Sequence, residues 1–138
     1  MQNLGVTAFF AGVFLLALIP LTVQVGLKRI ETEIYFGDGG NGSLARRRAA
    51  HSNFVEHVPI FLIGLALAQL SGAPVWLAVG AGTAMLAGRA IHAGCLLFTE
   101  GTGNARAVGM VLTLVAHLTI ALYLCWIGVV ALGHAVGL

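Results

Sequence analysis

Three polar side chains interrupt an apolar stretch in the first half of the chain: Asn53, Glu56 and His57. In a helix, spacings of three and four residues place all three on one face. Arg46, seven residues before Asn53, lies on the same face if the helix already exists there. An amide, a carboxylate and an imidazole arranged in this way can bind a polar ligand. They can equally hydrogen-bond to neighbouring helices and only hold a bundle together.

A second polar pair, Arg89 and His92, lies three residues apart in the next apolar stretch. Residues 71–74 form a short connector, so the two stretches are predicted to run antiparallel as neighbours. At about 1.5 Å of rise per residue, Glu56 and Arg89 both lie roughly 12–14 Å from the same end of their helices. We therefore expect an ion pair between them, although such a buried pair adds little stability by itself.

Arg106 lies at the start of the last apolar stretch, two residues after Asn104. A helix N-terminus favours anions, so a guanidinium there is poorly placed for the helix dipole. Its position makes more sense if it meets an anion such as a carboxylate, a thiolate or a lipid phosphate. The alternative is a cationic anchor whose side chain extends to the membrane interface.

The elements that must position these residues are predicted from composition. The chain has 138 residues, of which 59% are hydrophobic and 9% are charged, whereas soluble domains are about a quarter charged. Four apolar stretches cover about residues 4–27, 48–70, 74–98 and 107–132. A membrane span needs about 20 such residues. The sequence therefore predicts an all-α membrane protein, with residues 1–138 forming one bundle of four transmembrane helices.

Charge distribution predicts the orientation in the membrane. Residues 28–50 and 99–105 connect helices on one side, and all Lys and Arg of the loops lie there, whereas the opposite side has none. The positive-inside rule then places both polar loops in the cytoplasm and both termini outside. The net charge of +2 is small, so we expect no nucleic-acid partner.

Metal binding is not expected. The five histidines and two cysteines show no metal-ligand spacing, and both cysteines lie in apolar stretches, as buried free cysteines do. His117 stands alone in the fourth stretch and is predicted to be a hydrogen-bonded packing residue.

The sequence of residues 46–74, RRRAAHSNFVEHVPIFLIGLALAQLSGAP, resembles the signature of the MAPEG family (membrane-associated proteins in eicosanoid and glutathione metabolism). The pattern includes His51, Asn53, Glu56, His57 and Pro59. Residues 37–41 (GDGGN), 86–94 (LAGRAIHAG) and 104–113 (NARAVGMVLT) resemble the first loop, third helix and fourth-helix start of bacterial-type members. The resemblance covers nearly the whole chain in order.

This resemblance implies a homotrimer in the bacterial inner membrane that binds glutathione, as a co-substrate, between subunits near the cytosolic face. Carried over by position, the glutathione contacts are Asn53, Glu56, Arg89 and Arg106. Arg106 is the expected catalytic residue, since its positive charge favours a thiolate. The thiolate would attack a lipophilic small-molecule substrate dissolved in the membrane lipids. The full expected ligand-binding set is Arg46, Arg48, Asn53, Glu56, His57, Arg89 and His92.

Two positions depart from the family pattern. The family's Arg four residues before the Asn is Ala49 here, with Arg48 one residue out of register and Arg46 one turn farther out. His57 replaces the usual aromatic residue after the Glu. The family also includes non-catalytic members, so a lipid-binding or scaffolding protein is the alternative. A small multidrug exporter is less favoured, because the first stretch has no charge before Lys28.

Overall fold

The computed structural model describes residues 4–99 and 103–137. Within them the chain forms four helices in sequence order: α1 (Gly5–Thr32), α2 (Gly42–Leu70), α3 (Val75–Phe98) and α4 (Asn104–Ala135). Each is long and apolar enough to cross a membrane. The predicted all-α fold with four transmembrane helices is confirmed. The predicted second polar loop includes residues 100–102, which lie outside the described residues.

Helices α1, α2 and α4 extend beyond a predicted boundary because polar residues at their ends remain helical, whereas α3 keeps nearly its predicted length. Helix α2 begins at Gly42 instead of residue 48, since the side-chain oxygen of Asn41 accepts a hydrogen bond from the backbone N–H of Leu44 (2.9 Å) and caps the first turn. Helix α1 continues past residue 27 to Thr32, and Glu33 ends it in the left-handed conformation (φ 56°). Helix α4 covers Asn104–Ala135 instead of residues 107–132.

Helices α3 and α4 form the closest contact in the bundle. A Cβ placed on Gly88 would lie 2.8 Å from the carbonyl oxygen of Gly109, so the two backbones touch directly. On the other side of α3, a Cβ on Gly82 would overlap the ring of Phe10 on α1. Small residues at such points allow membrane helices to approach closely. These contacts fix the position of α3 between α1 and α4.

Hydrogen bonds join α1 and α2 near both ends. Near the start of α1, the backbone N–H and hydroxyl of Thr7 donate to the side-chain oxygen of Gln69, at 2.8 and 2.6 Å. Near its end, the guanidinium of Arg47 donates to the side-chain oxygen of Gln24 at 2.8 Å. The outward faces between these ties carry large apolar side chains, which suits contact with lipid.

Candidate functional site

A cavity of about 470 Å³ lies at the end of the bundle where α3 ends and α4 begins. Helices α2, α3 and α4 each contribute to its wall. It is lined by Asn53, His92, Gly103, Arg106, Ala107, Met110 and Val111. Three of the residues predicted from sequence to form a ligand site, Asn53, His92 and Arg106, therefore share one space.

The contact between α3 and α4 places His92 and Arg106 side by side. Gly109 lies one turn after Arg106, and a Cβ there would be 2.8 Å from the backbone nitrogen of His92 and 3.1 Å from its Cβ. Glycine is therefore needed at this point for α4 to pack against His92. Arg106 and His92 both line the cavity.

The cavity presents donors and positive charge. Arg106 is exposed, and its side chain forms no hydrogen bond or ion pair with the described residues. Its guanidinium has five N–H donors and no acceptor. Among the described residues that line the cavity none is Asp or Glu, and Ala107, Met110 and Val111 supply an apolar wall. Such a cavity suits an anionic group attached to a partly apolar molecule.

Arg89 does not line this cavity. Its side chain is 3% exposed, and its Nε and Nη2 donate to the hydroxyl of Thr113 at 3.0 and 2.6 Å. Its Nη1 donates to the backbone oxygen of Asn53 at 3.3 Å and also to the side-chain Oδ1 of Asn53. The guanidinium therefore lies behind Asn53, between α2 and α4.

The ion pair expected between Glu56 and Arg89 does not form. Glu56 is exposed on the outer surface of α2, where its Oε1 accepts a hydrogen bond from the hydroxyl of Ser52 at 3.0 Å. Three residues of helix correspond to about 300°, so Glu56 points to one side of Asn53. Asn53 faces α3 and takes the place that we expected Glu56 to occupy. The prediction matched the depths of Glu56 and Arg89 along their helices, but it was wrong about the direction in which the Glu56 side chain points.

His57 also lies away from the cavity wall, packed against α4. Its ring centroid is 5.4 Å from that of His117. The Nδ1 of His117 lies 2.9 Å from the backbone oxygen of Thr113, and because a carbonyl only accepts, this nitrogen carries the hydrogen. Thr113 was missed by the sequence analysis. The available signal was its position seven residues after Arg106, which is two turns along the same face.

Arg48 faces a second cavity, of about 530 Å³, between α1 and α2. Its walls are formed by Val25, Arg29, Ala45, Arg48, Ala49, His51 and Ser52. At the edge, the Nη1 of Arg48 lies 3.8 Å from the Oδ2 of Asp38. Arg46 is not among the residues that line either cavity. The predicted site residues are thus divided between two faces of α2.

The family model for the MAPEG family matches residues 7–126, which cover all four helices. The chain belongs to the MAPEG family. Among curated proteins it is similar to inner membrane protein YecN of Escherichia coli, from strain K12 and from strain O6:H1, with 31% identity over 87 residues in each case. The match covers 63% of this chain and 66% of the relative, just under two thirds of its length. No solved structure matches the chain.

Membership of the MAPEG family confirms the resemblance and counts against the exporter alternative. Four membrane-length helices together with the YecN relative support an integral inner membrane protein. Within this MAPEG chain, the motif residues Asn53 and His51 open to different cavities, and Glu56 opens to neither. No group of three or more metal-binding side chains occurs in residues 4–99 and 103–137.

Proposed function

We propose that this MAPEG protein binds glutathione, or a similar anionic thiol, in the cavity that contains Arg106, and transfers the thiol to lipophilic electrophiles or uses it to reduce lipid peroxides. The supporting observation concerns the described part of the chain: the side chain of Arg106 faces this cavity without a protein partner there, and none of the lining residues there carries a carboxylate. A ligand anion would satisfy this guanidinium.

The chemistry of glutathione fits this environment. Its carboxylates can accept paired hydrogen bonds from a guanidinium, which is a strong and directional contact. A thiol beside the same positive charge is stabilised as the thiolate, the nucleophilic form. In conjugation, the thiolate sulfur forms a bond to an electrophilic carbon, and the leaving group departs with its electron pair. The apolar wall at Met110 and Val111 gives a lipophilic substrate a place beside the thiolate.

We further propose that the site is completed between the subunits of a homotrimer. Glutathione also carries an ammonium group, and the described residues of the first cavity offer it no carboxylate. Glu56 is exposed on the outer surface of α2, where a neighbouring subunit can approach. The family's Arg would stand at the position of Ala49, and Arg48 is one residue before it. Both residues line the second cavity, so Arg48 still places a guanidinium in that space. One subunit would thus supply Arg106 for the carboxylates of glutathione, and its neighbour would supply Glu56 for the ammonium group.

Orientation in the inner membrane is part of the proposal. Both cavities lie at the end of the bundle that carries residues 33–41, next to Lys28, Arg29 and the three arginines of α2. The positive-inside rule places this end in the cytoplasm and both chain termini outside. Glutathione made in the cytoplasm would reach the cavities directly, while the lipophilic substrate would enter from the bilayer.

The test is turnover and binding by the purified protein in detergent. We expect glutathione-dependent conjugation of 1-chloro-2,4-dinitrobenzene, together with a rise in melting temperature on adding glutathione. Arg106→Gln should remove both effects, while Lys28→Gln, a cation at the same membrane interface but outside both cavities, should retain them. A melting-temperature shift without turnover favours the non-catalytic MAPEG alternative. If neither effect is found in the wild-type protein, the proposal is wrong.

A further inference from the structure

The side-chain amide of Asn53 has a fixed orientation. Arg89 donates from Nη1 to both oxygens of Asn53, the backbone carbonyl and Oδ1. A guanidinium has no acceptor, so the amide must turn its oxygen toward Arg89 and its NH2 group away. The Nδ2 atom forms no hydrogen bond with the described residues, and no buried side-chain nitrogen or oxygen among them lacks a partner. The NH2 group therefore reaches open space, in the cavity that Asn53 lines.

Arg89 is itself held by α4. The hydroxyl of Thr113 donates its one hydrogen to the backbone oxygen of Gly109 at 2.9 Å. Its lone pairs remain to accept from Nε and Nη2 of Arg89, at 3.0 and 2.6 Å. Thr113 is fully buried and Arg89 is 3% exposed, so water does not compete for these bonds. Donor and acceptor are therefore fixed in each bond from Gly109 through Thr113 and Arg89 to Asn53. The Asn53 amide has no alternative orientation that keeps these bonds.

We infer that Arg89 is a positioning residue and not a ligand contact: it holds Asn53 as a hydrogen-bond donor, so that the cavity selects an acceptor, a carboxylate or thiolate, between Asn53 and Arg106. This inference deepens the proposed function and rests on it for the identity of the ligand. The orientation of Asn53 rests only on the contacts within the bundle. The space between the NH2 group of Asn53 and the guanidinium of Arg106 disfavours an ammonium or other cation, because both of these groups are donors.

Two substitutions of Asn53 separate its two roles. Asn53→Asp keeps an oxygen that accepts from Arg89 but removes the NH2 donor and adds a negative charge. Asn53→Leu, of similar size, removes the acceptor and leaves Arg89 with an unmet positive charge, which is costly when buried. We expect the melting temperature of Asn53→Asp to equal or exceed that of the wild type, and that of Asn53→Leu to fall by several degrees. We expect Asn53→Asp to bind glutathione at least tenfold more weakly.

A third variant tests Arg89 through selectivity. Arg89→Met frees the Asn53 amide to rotate and present either its oxygen or its NH2 group. The measured quantity is the Kd of glutathione diethyl ester divided by the Kd of glutathione. The fraction of folded protein does not affect this ratio. We expect it to fall severalfold, toward one, in Arg89→Met. Three outcomes would each overturn the inference. They are an unchanged Kd ratio in Arg89→Met, equal losses of stability in Asn53→Asp and Asn53→Leu, and an unchanged glutathione affinity in Asn53→Asp. If the wild type binds no glutathione, the proposed function fails, while the stability comparison still decides the role of Arg89.

Discussion

Gly88 on α3 and Gly109 on α4 lie against one another with their backbones in reciprocal contact. A Cβ added to either residue would lie 2.8 Å from the carbonyl oxygen of the other. Arg89 is the neighbour of Gly88 in α3, and Arg106 lies one turn before Gly109 in α4. The glycine contact therefore sets the distance between the buried guanidinium and the cavity guanidinium.

Replacing either glycine should destabilise the bundle. In Gly88→Ala and Gly109→Ala the new methyl meets backbone atoms of the opposite helix, and overpacking of this kind costs about 1–3 kcal/mol. Gly94→Ala, also in α3, is the matched control, since a Cβ there meets nothing within 4 Å, and alanine favours a helix by about 0.5–1 kcal/mol. Thermal unfolding in detergent measures all three. Equal melting temperatures would contradict the close crossing.

Arg106→Gln should weaken glutathione binding by about 10- to 100-fold. A hydrogen bond to a charged group contributes about 1.5–3 kcal/mol, and about 1.4 kcal/mol corresponds to a factor of ten in Kd. Titration calorimetry measures the loss, and Arg106→Lys should recover part of it by restoring charge without the paired geometry. Because Arg106 is exposed and has no protein partner in the described chain, the melting temperature of the ligand-free protein should stay unchanged. A fall there would indicate a structural role.

Thr7→Val should lower stability by about 0.5–1 kcal/mol, the size measured for hydrogen bonds between membrane helices. The hydroxyl of Thr7 joins α1 to Gln69 on α2 at 2.6 Å. Thr119→Val provides the comparison, because the hydroxyl of Thr119 bonds only within its own helix, to the backbone oxygen of Val115. Unfolding in detergent should distinguish the two variants. Indistinguishable losses would show that the tie between α1 and α2 adds nothing.

Single cysteines test the orientation. In a chain whose Cys95 and Cys125 are replaced by alanine, Val136→Cys lies near the C-terminus and Phe36→Cys in the connection between α1 and α2; both positions are exposed. A membrane-impermeant maleimide added to intact cells should label the cysteine at 136 and should label that at 36 only after lysis. Labelling at position 36 in intact cells would reverse the assigned orientation.

The membrane fold was predictable because it depends on the lengths of apolar stretches. Their number and order were confirmed, since a bilayer requires the same length from every span. The helix boundaries were less accurate. A polar residue can extend a helix into the interface, and the sequence alone does not show that Asn41 caps α2 ahead of the arginines. The candidate cavity was predicted in part, through Asn53, His92 and Arg106.

The partner of Arg89 was not predictable from spacing. Depth along two antiparallel helices favoured Glu56, and depth was the only coordinate available from sequence. The actual partners, Asn53 and Thr113, depend on the rotation of each helix about its axis. For α3 and α4 the rotation is set by the Gly88–Gly109 contact, whose geometry appears only when the two helices are packed together.

The Asn41 cap has a consequence for the three consecutive arginines of α2. Because the helix has already begun when the chain reaches residue 46, successive side chains diverge by about 100°. Arg47 turns to Gln24 on α1, and Arg48 turns to Asp38 and the second cavity. The three arginines form one basic cluster for membrane insertion. In the folded protein they act as separate groups. Membrane insertion depends on how many basic residues lie here, whereas the contacts inside the bundle depend on the exact position of each one.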